Sequence, residues 1–286
     1  MRAARLSSIV TRMDRIDTTA FDRFEAAGWD VRAACYDRFF VGLTGRVVEP
    51  LLDAAGITAG QAVADVGSGP GHVAAACAAR GADVTGSDVA SEMVALARRR
   101  HPGIRFEQAD AQRLPFAAGT MDAVVGNFVI LHIGHPETAA GEAARVLRPG
   151  GRLALSAWDT PDRCRLVGVL VDAVREVGAV AAPDIPDGPP FFRFADEGEF
   201  TRLLTGAGFT GVQVRTVAFE HPMADSAELW RGLMEGTVRS RALVLSQPEG
   251  VQARIRSVFE RLASAYATPH GIALPVSAKI ASGVRP

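Results

Sequence analysis

The chain predicts an α/β fold, a mostly parallel sheet with helices on both faces. Two observations carry this. From about residue 62 to 157, short apolar runs alternate with helical stretches, and such alternation builds strand–helix–strand units. The runs are also nearly continuously apolar, as strands buried on both faces are.

Taken in order, residues 19–57 read as helical. Phe21, Phe24 and Trp29 open this stretch, Tyr36, Phe39 and Phe40 continue it, and Val47, Val48, Leu51 and Leu52 close it at helical spacing. Gly56 ends it and Gly60 starts a turn. The first strand is 62–66, followed by a helix at 71–80. A strand at 83–87 leads to a helix at 91–100, which Ser91 is placed to cap. Strands at 104–108 and 123–127 come next, then a helix at 136–147 with Pro136 in its first turn. Pro149, Gly150 and Gly151 turn the chain into a strand at 152–157.

After Trp158 the rhythm changes. A helix at 166–177 precedes the proline-rich loop APDIPDGPPFF at 182–192. A helix at 197–207 is stopped by Gly208, and a strand occupies 212–219. Helices near 226–235 and 249–266 precede a last strand at 272–284. The chain divides into an N-terminal helical cap (1–57), a nucleotide-binding core (58–160) and a part (161–286) that completes the sheet and supplies a lid.

Bulk properties bound the function. The 286 residues suffice for one large domain, or one with a smaller part appended. A net charge of −1 with 48% hydrophobic residues fits a globular protein with a substantial core and argues against a general nucleic-acid binder. Lys279 is the sole lysine, a bias that reads as GC-rich codon usage. Cys35, Cys77 and Cys164 are widely spaced and form no CxxC pattern, so a reducing cytoplasm is expected, without disulfides or a zinc site. No uncharged apolar stretch approaches the roughly 18 residues of a membrane span. The first 13 residues carry Arg2, Arg5 and Arg12 but no acid, and lack the apolar centre of a secretory signal. They read as a frayed tail or an early start codon.

The loop VADVGSGPG at 63–71 ends the first strand and opens a helix, where ligands of such sheets bind. A dinucleotide fingerprint has the spacing G-x-G-x-x-G/A. Here Pro70, Gly71 and His72 follow Gly69, so the third small residue arrives one place early and an imidazole fills its slot. Asp65, two residues before Gly67, would repel a pyrophosphate and attract an ammonium group. Asp88, after the second strand, suits a ribose diol in either case. Asp110, after the third strand, can accept from an adenine amino group. Three acids at three consecutive strand ends thus span amine, ribose and adenine, which describes S-adenosylmethionine better than NAD.

These residues carry a family resemblance. The segments VADVGSGPGHVA, GSDVASEMVALAR, FEQADAQRLPF, MDAVVGNFVILHI and EAARVLRPGGRLALSAW follow one another over about 61–158. In them the chain resembles class I S-adenosylmethionine-dependent methyltransferases, in particular the small-molecule group of the ubiquinone and menaquinone methyltransferases. The resemblance implies a Rossmann-like sheet of seven strands, the last antiparallel and inserted near the edge, with the lid between strands 5 and 7. It implies that Asp65, Gly67, Gly69 and Gly71 hold the methionine end of the cofactor and that Asp88 binds the ribose. Val89 and Met93 would flank the adenine, and Asp110 with Ala111 would meet its edge. Asn127 and Phe128 would face the methyl group. Tyr36, in the YDRFF segment, either closes over the cofactor carboxylate or packs within the cap.

The acceptor is bounded by absences. Asn127 is followed by Phe128, Val129 and Ile130, with none of the prolines of the amino-methylating nucleic-acid enzymes, and no cysteine follows a proline. A small, fairly apolar acceptor, methylated at oxygen or carbon, is therefore expected, with no nucleic acid or membrane insertion, and a monomer or homodimer. His132 is the candidate general base, because imidazole titrates near neutrality; alternatively it only bonds a loop or packs by the cofactor. His135 reads as a helix-entry residue, and His221 either faces the pocket or does not. Phe40, Trp158, Phe191, Phe192 and Trp230 line an acceptor pocket or belong to the core. Arg193 meets an acidic acceptor or makes a surface ion pair. Asp159 lacks companion acids, so no metal is expected. Two other readings stay open: a cofactor-binding protein on this fold that transfers no methyl group, such as a cyclase or regulator, and a nicotinamide-dependent oxidoreductase.

Overall fold

A computed structural model of the chain describes residues 18–286; the expectation for the first 13 residues lies outside them. Among the described residues, four α-helices precede the sheet: α1 (Thr18–Asp30), α2 (Ala33–Phe39), α3 (Val41–Thr44) and α4 (Val48–Ala55). The core follows as β1 (Ala62–Val66), α5 (His72–Ala79), β2 (Asp83–Asp88), α6 (Ser91–Arg100), β3 (Arg105–Gln108), β4 (Met121–Gly126), α7 (Pro136–Val146) and β5 (Leu147–Trp158). Then come α8 (Arg165–Val177), α9 (Glu197–Gly206), β6 (Thr210–Met223), α10 (Ser226–Gly236), α11 (Arg239–Leu245), α12 (Glu249–Ala263), β7 (Ala267–Thr268) and β8 (Gly271–Val284).

The sheet runs β3-β2-β1-β4-β5-β8-β6. β1 pairs in parallel with β2 and β4, and β4 with β5, while β8 is antiparallel to both β5 and β6. Strand order reverses between β1 and β4, so a crevice opens at their carboxyl ends. This is the Rossmann-like sheet with its last strand inserted next to the edge. It has eight strands rather than seven, because Ala267 and Thr268 pair with Ile272 and Gly271 in a hairpin too short for any hydrophobic alternation to announce. The central strands are apolar because both their faces are covered: Val63, Ala64, Val124, Val125, Leu153 and Ala154 are buried, as are Leu51 and Leu52 of α4.

Several local expectations are corrected. Ser91 does not cap α6; the Asp30 carboxylate at the end of α1 accepts from the Ser91 hydroxyl at 3.1 Å and from the Glu92 amide at 3.0 Å, so the cap comes from another helix. Pro149–Gly151 is an irregularity inside β5, since Leu147 already pairs with Met121 before Arg152 pairs with Ala123. β6 continues past 219 through Pro222, which an edge strand tolerates because one side of it has no ladder to break. The helix α11 stands where none was expected.

Candidate functional site

A cleft of about 1220 Å³ of empty space, counted out to its open mouth, lies at the carboxyl ends of β1, β2 and β4. The cap helices α1 and α2 close one side of it and the α10–α11 junction another.

Its floor is the loop after β1. Gly67 has φ +66°, and a Cβ there would lie 2.3 Å from Val129 Cγ2. Both conditions demand glycine. Gly69 has φ +51°, but its Cβ would meet nothing nearer than Tyr36 Cε1 at 3.9 Å, on the cleft side. The Gly69 amide donates to Asp88 Oδ2 at 2.8 Å, and the Ala90 amide donates to Asp88 Oδ1 at 2.9 Å. Asp88 therefore ties the loops after β1 and β2 together. Burial raises its pKa and those two amides pull it back.

Asp65 sits beneath this loop, fully buried, and neither carboxylate oxygen makes a hydrogen bond among the described residues. Burial pushes its pKa up to about 7 and the Asp88 charge adds to it. The Ala74 amide in the first turn of α5 faces the carboxyl, too poorly placed for a full hydrogen bond but enough to oppose the shift in part. A buried carboxyl without a partner is costly, so this one is set to accept a cationic donor.

At the end of β4, Phe128 adopts φ +59° although it is not glycine. Such backbone costs about 1–3 kcal/mol and persists only where its surroundings hold it. Here the Ser156 hydroxyl accepts from the Phe128 amide at 2.8 Å and donates to Asn127 Oδ1 at 2.7 Å. The Asn127 amide donates to the Thr44 carbonyl at 3.2 Å, joining β4 to the cap. Phe128 stacks on Trp158 with ring centroids 3.8 Å apart.

Tyr36, Phe40, Val89, Met93, Asp110, Ala111, Phe191 and His132 also border the cleft. Tyr36 stacks on Phe40, and burial raises its phenol to about 12, the Thr44 hydroxyl partly offsetting this. Asp110 is exposed and accepts from the Gln112 amide at 2.8 Å.

Five expected site residues do not border the cleft. Asp65 and Gly71 lie behind its floor; a Cβ on Gly71 would meet Phe106 at 2.7 Å. Phe192 packs edge-on behind Phe191. Arg193 is held by Glu137 at 2.7 Å and Glu199 at 3.0 Å, which leaves it the ion-pair role. Trp230 packs on Phe259 with Arg256 over its ring, on the far side of α10. His221, in β6, also lies away from the cleft. Asp159 accepts from the Ser277 hydroxyl at 2.7 Å and the Thr160 amide at 2.8 Å, with Lys279 Nζ 3.9 Å away.

Sequence reasoning missed Asp22, Glu25, Trp29 and Arg239, all on the cleft wall. Glu25 Oε2 accepts from Trp29 Nε1 and lies 2.9 Å from each of Trp29 Nε1 and His132 Nδ1. The signal for it was faint: an acid set four residues before a tryptophan, on the apolar face of a helix. Arg239 is largely desolvated, which lowers its pKa, and its guanidinium lies over Phe21 at 5.2 Å and Phe191 at 5.5 Å.

Known proteins share parts of this chain. A family profile described as "Methyltransferase domain" matches residues 64–155. The demethylmenaquinone methyltransferase of Beutenbergia cavernae is 41% identical over 110 residues, 38% of this chain and 46% of that protein. The demethylmenaquinone methyltransferase of Renibacterium salmoninarum is 36% identical over 125 residues, 44% of this chain and 53% of that protein. The chain thus spans about half the length of these curated relatives. The solved structure of the YcgJ protein of Bacillus subtilis matches with a TM-score of 0.55 at 18% identity, over 84% of this chain and 98% of that one. That likeness is one of fold.

Proposed function

Taking residues 64–155 as a methyltransferase domain of the class I, S-adenosylmethionine-dependent kind, we propose that the chain is an enzyme that uses S-adenosylmethionine to methylate a small, fairly apolar metabolite at oxygen or carbon. The observation that carries this reading is Asp65, a buried carboxyl without a partner under a loop of left-handed glycines, next to an acid fixed at the end of β2. That arrangement fits a ligand with an ammonium group beside a ribose. The early third glycine and the buried acid do not fit a pyrophosphate.

In this reading Gly67 and Gly69 line the amino-acid end and Tyr36 closes over it, while Asp65 and Gly71 act from behind that floor, Asp65 through its charge and Gly71 by seating the start of α5 against Phe106. Asp88 takes the ribose hydroxyls. Val89, Met93, Asp110 and Ala111 hold the adenine. Asn127 and Phe128 position the reacting end, and the hydrogen bonds through Ser156 keep their strained backbone in place. When bound, S-adenosylmethionine supplies an electrophilic methyl group on a sulfonium. The protein's part is alignment, which contributes up to roughly 7–11 kcal/mol in well-oriented reactions, and exclusion of water by the cap.

Phe40, Trp158, Phe191 and Val167 give the acceptor end an apolar wall, which supports a planar or hydrocarbon-rich acceptor. The enclosed cleft and near-neutral charge support a small molecule over nucleic acid. Among the described residues no helix is long and apolar enough to cross a membrane. The three free cysteines support a cytoplasmic setting.

The test is transfer of isotope-labelled methyl from S-adenosylmethionine to a panel of quinols, phenols and enolic polyketides. Label in an organic-soluble product, lost with Asp88→Ala, is the expected result. Tight cofactor binding with no transfer to any acceptor would favour the non-transferring reading instead.

A further inference from the structure

The cleft wall holds a charged network to which the reading above assigns no role. Glu25, on α1, is buried, and its Oε2 faces two nitrogens at 2.9 Å, Trp29 Nε1 and His132 Nδ1. An indole N–H can only donate, so the carboxylate is the acceptor of the group. The His132 Nδ1 then carries the proton, and its Nε2 keeps a lone pair. Nε2 makes no hydrogen bond among the described residues, although His132 borders the cleft. Trp29 and Phe191 hold the imidazole edge-on at 4.9 and 5.9 Å, so the ring is clamped. Two polar atoms on this wall are buried without partners, Glu25 Oε1 and Arg239 Nη1.

We propose that Glu25 and His132 form a proton-accepting dyad, and that the acceptor is a planar phenolic or enolic compound methylated on its acidic hydroxyl oxygen. This rests on the cofactor reading above. The hydroxyl proton passes to His132 Nε2. The freed oxygen pair forms the new O–CH₃ bond to the methyl group the cofactor supplies, the S–CH₃ pair stays on sulfur, and His132 then loses the proton to water. Glu25 is a positioning residue: it fixes the tautomer and stabilises the imidazolium, as a buried carboxylate does beside a catalytic histidine. The desolvated Arg239 guanidinium on the same wall favours an oxygen that becomes anionic.

Oxygen and carbon methylation of a phenol each release one proton overall, but the carbon route takes it from the methylated ring carbon in a separate rearomatising step, whereas one fixed imidazole facing the hydroxyl suffices for the oxygen route. The other carboxylates of the wall are engaged: Asp22 by the Gly134 amide and Gln112, Asp88 by two amides, Asp110 by Gln112. The charged groups around His132 are therefore Glu25 and Asp22 from α1, Asp88 from the end of β2, and Arg239 from α11.

The test reads ionisation of a bound phenol without methyl transfer. The protein is saturated with S-adenosylhomocysteine, checked by calorimetry, and titrated with 4-nitrophenol and 4-nitrocatechol while visible absorbance follows the phenolate across pH. The bound phenol is expected to ionise about one pH unit below the free phenol, a tenfold shift in its ionisation constant. His132→Ala should abolish the shift and Glu25→Gln most of it, with S-adenosylhomocysteine affinity unchanged in both. Unshifted ionisation in the wild type, no phenol binding by the loaded protein, or a shift that survives His132→Ala overturns the dyad. Failure of S-adenosylhomocysteine to bind overturns the cofactor reading instead.

Discussion

Asp65 separates this loop from a pyrophosphate cradle, and its chemistry was legible from two facts of the chain, an acid at the end of an apolar strand and glycines directly after it. What the chain could not reveal is that the carboxyl is buried with no hydrogen bond among the described residues, since that depends on how the first turn of α5 and the sheet close around it. With a pKa raised to about 7 by burial, Asp65 binds a proton on folding between about pH 4 and 7. Its contribution to stability is fully present below pH 4 and is lost as pH rises through 7, a span on the order of 4 kcal/mol. In ligand-free protein Asp65→Asn should remove this pH dependence and be more stable than the wild type at pH 8, as followed by urea denaturation. In the wild type, an ammonium group bound on the floor above Asp65 favours its ionised form, so S-adenosylmethionine binding at pH 6 should release up to about one proton. That release appears as a calorimetric enthalpy that depends on the buffer, and should be lost in Asp65→Asn. A buffer-independent enthalpy at pH 6 would remove Asp65 from the ammonium role. Glu25 marks the opposite limit of legibility: its partner His132 lies 107 residues away, and no local pattern joins them.

At the scale of elements, the glycine loop offers a graded test. Gly67→Ala meets both a left-handed backbone and Val129 at 2.3 Å, whereas Gly69→Ala meets the backbone term with open space around it. Left-handed backbone alone costs about 1–2 kcal/mol, so Gly69→Ala should lose that much in chemical denaturation and Gly67→Ala clearly more. Equal losses would contradict the packing. The C-terminal elements supply a second test. Lys279, in β8, is 4% exposed and donates to Glu197 of α9 and Thr216 of β6, each at 2.7 Å. It also faces the buried Asp159 at 3.9 Å. Glu197 is exposed, but Lys279 and Asp159 are buried. Removing one member of a buried charge pair costs about 3–5 kcal/mol, so Lys279→Ala should unfold at markedly lower urea, while a surface-like loss below about 1 kcal/mol would show that the pair is solvated. Strands of continuous apolar residues were legible because burial on both faces leaves one pattern. The two-residue β7, α11 and the bulge within β5 were not, because each is set by tertiary pairing. The Asp30 cap of α6 was invisible for the same reason, while Pro136 and Gly56 sit at their helix ends as local rules require.

The molecule as a whole joins a sheet whose parallel character was readable from its alternation, and whose antiparallel last strand only the resemblance implied, to a cap and lid whose contacts were not legible. Of the expected site, the floor and the wall formed by Val89, Met93, Asp110 and Ala111 emerged from motifs on consecutive strand ends, which the topology places side by side. The aromatic lid was partly misassigned: Phe191 reaches the cleft, while Phe192, Arg193 and Trp230 turn to neighbouring helices, a choice that depends on packing between segments far apart in the chain. The cofactor assignment underlies everything else, so the most direct measurement is calorimetric titration of the whole chain with S-adenosylmethionine, S-adenosylhomocysteine and NADH, repeated on Asp88→Ala. The account predicts micromolar binding of both sulfur ligands, no heat from NADH, and a loss of at least tenfold, about 1.4 kcal/mol, in the variant. Folded protein that binds NADH, or that binds neither sulfur ligand, would contradict it.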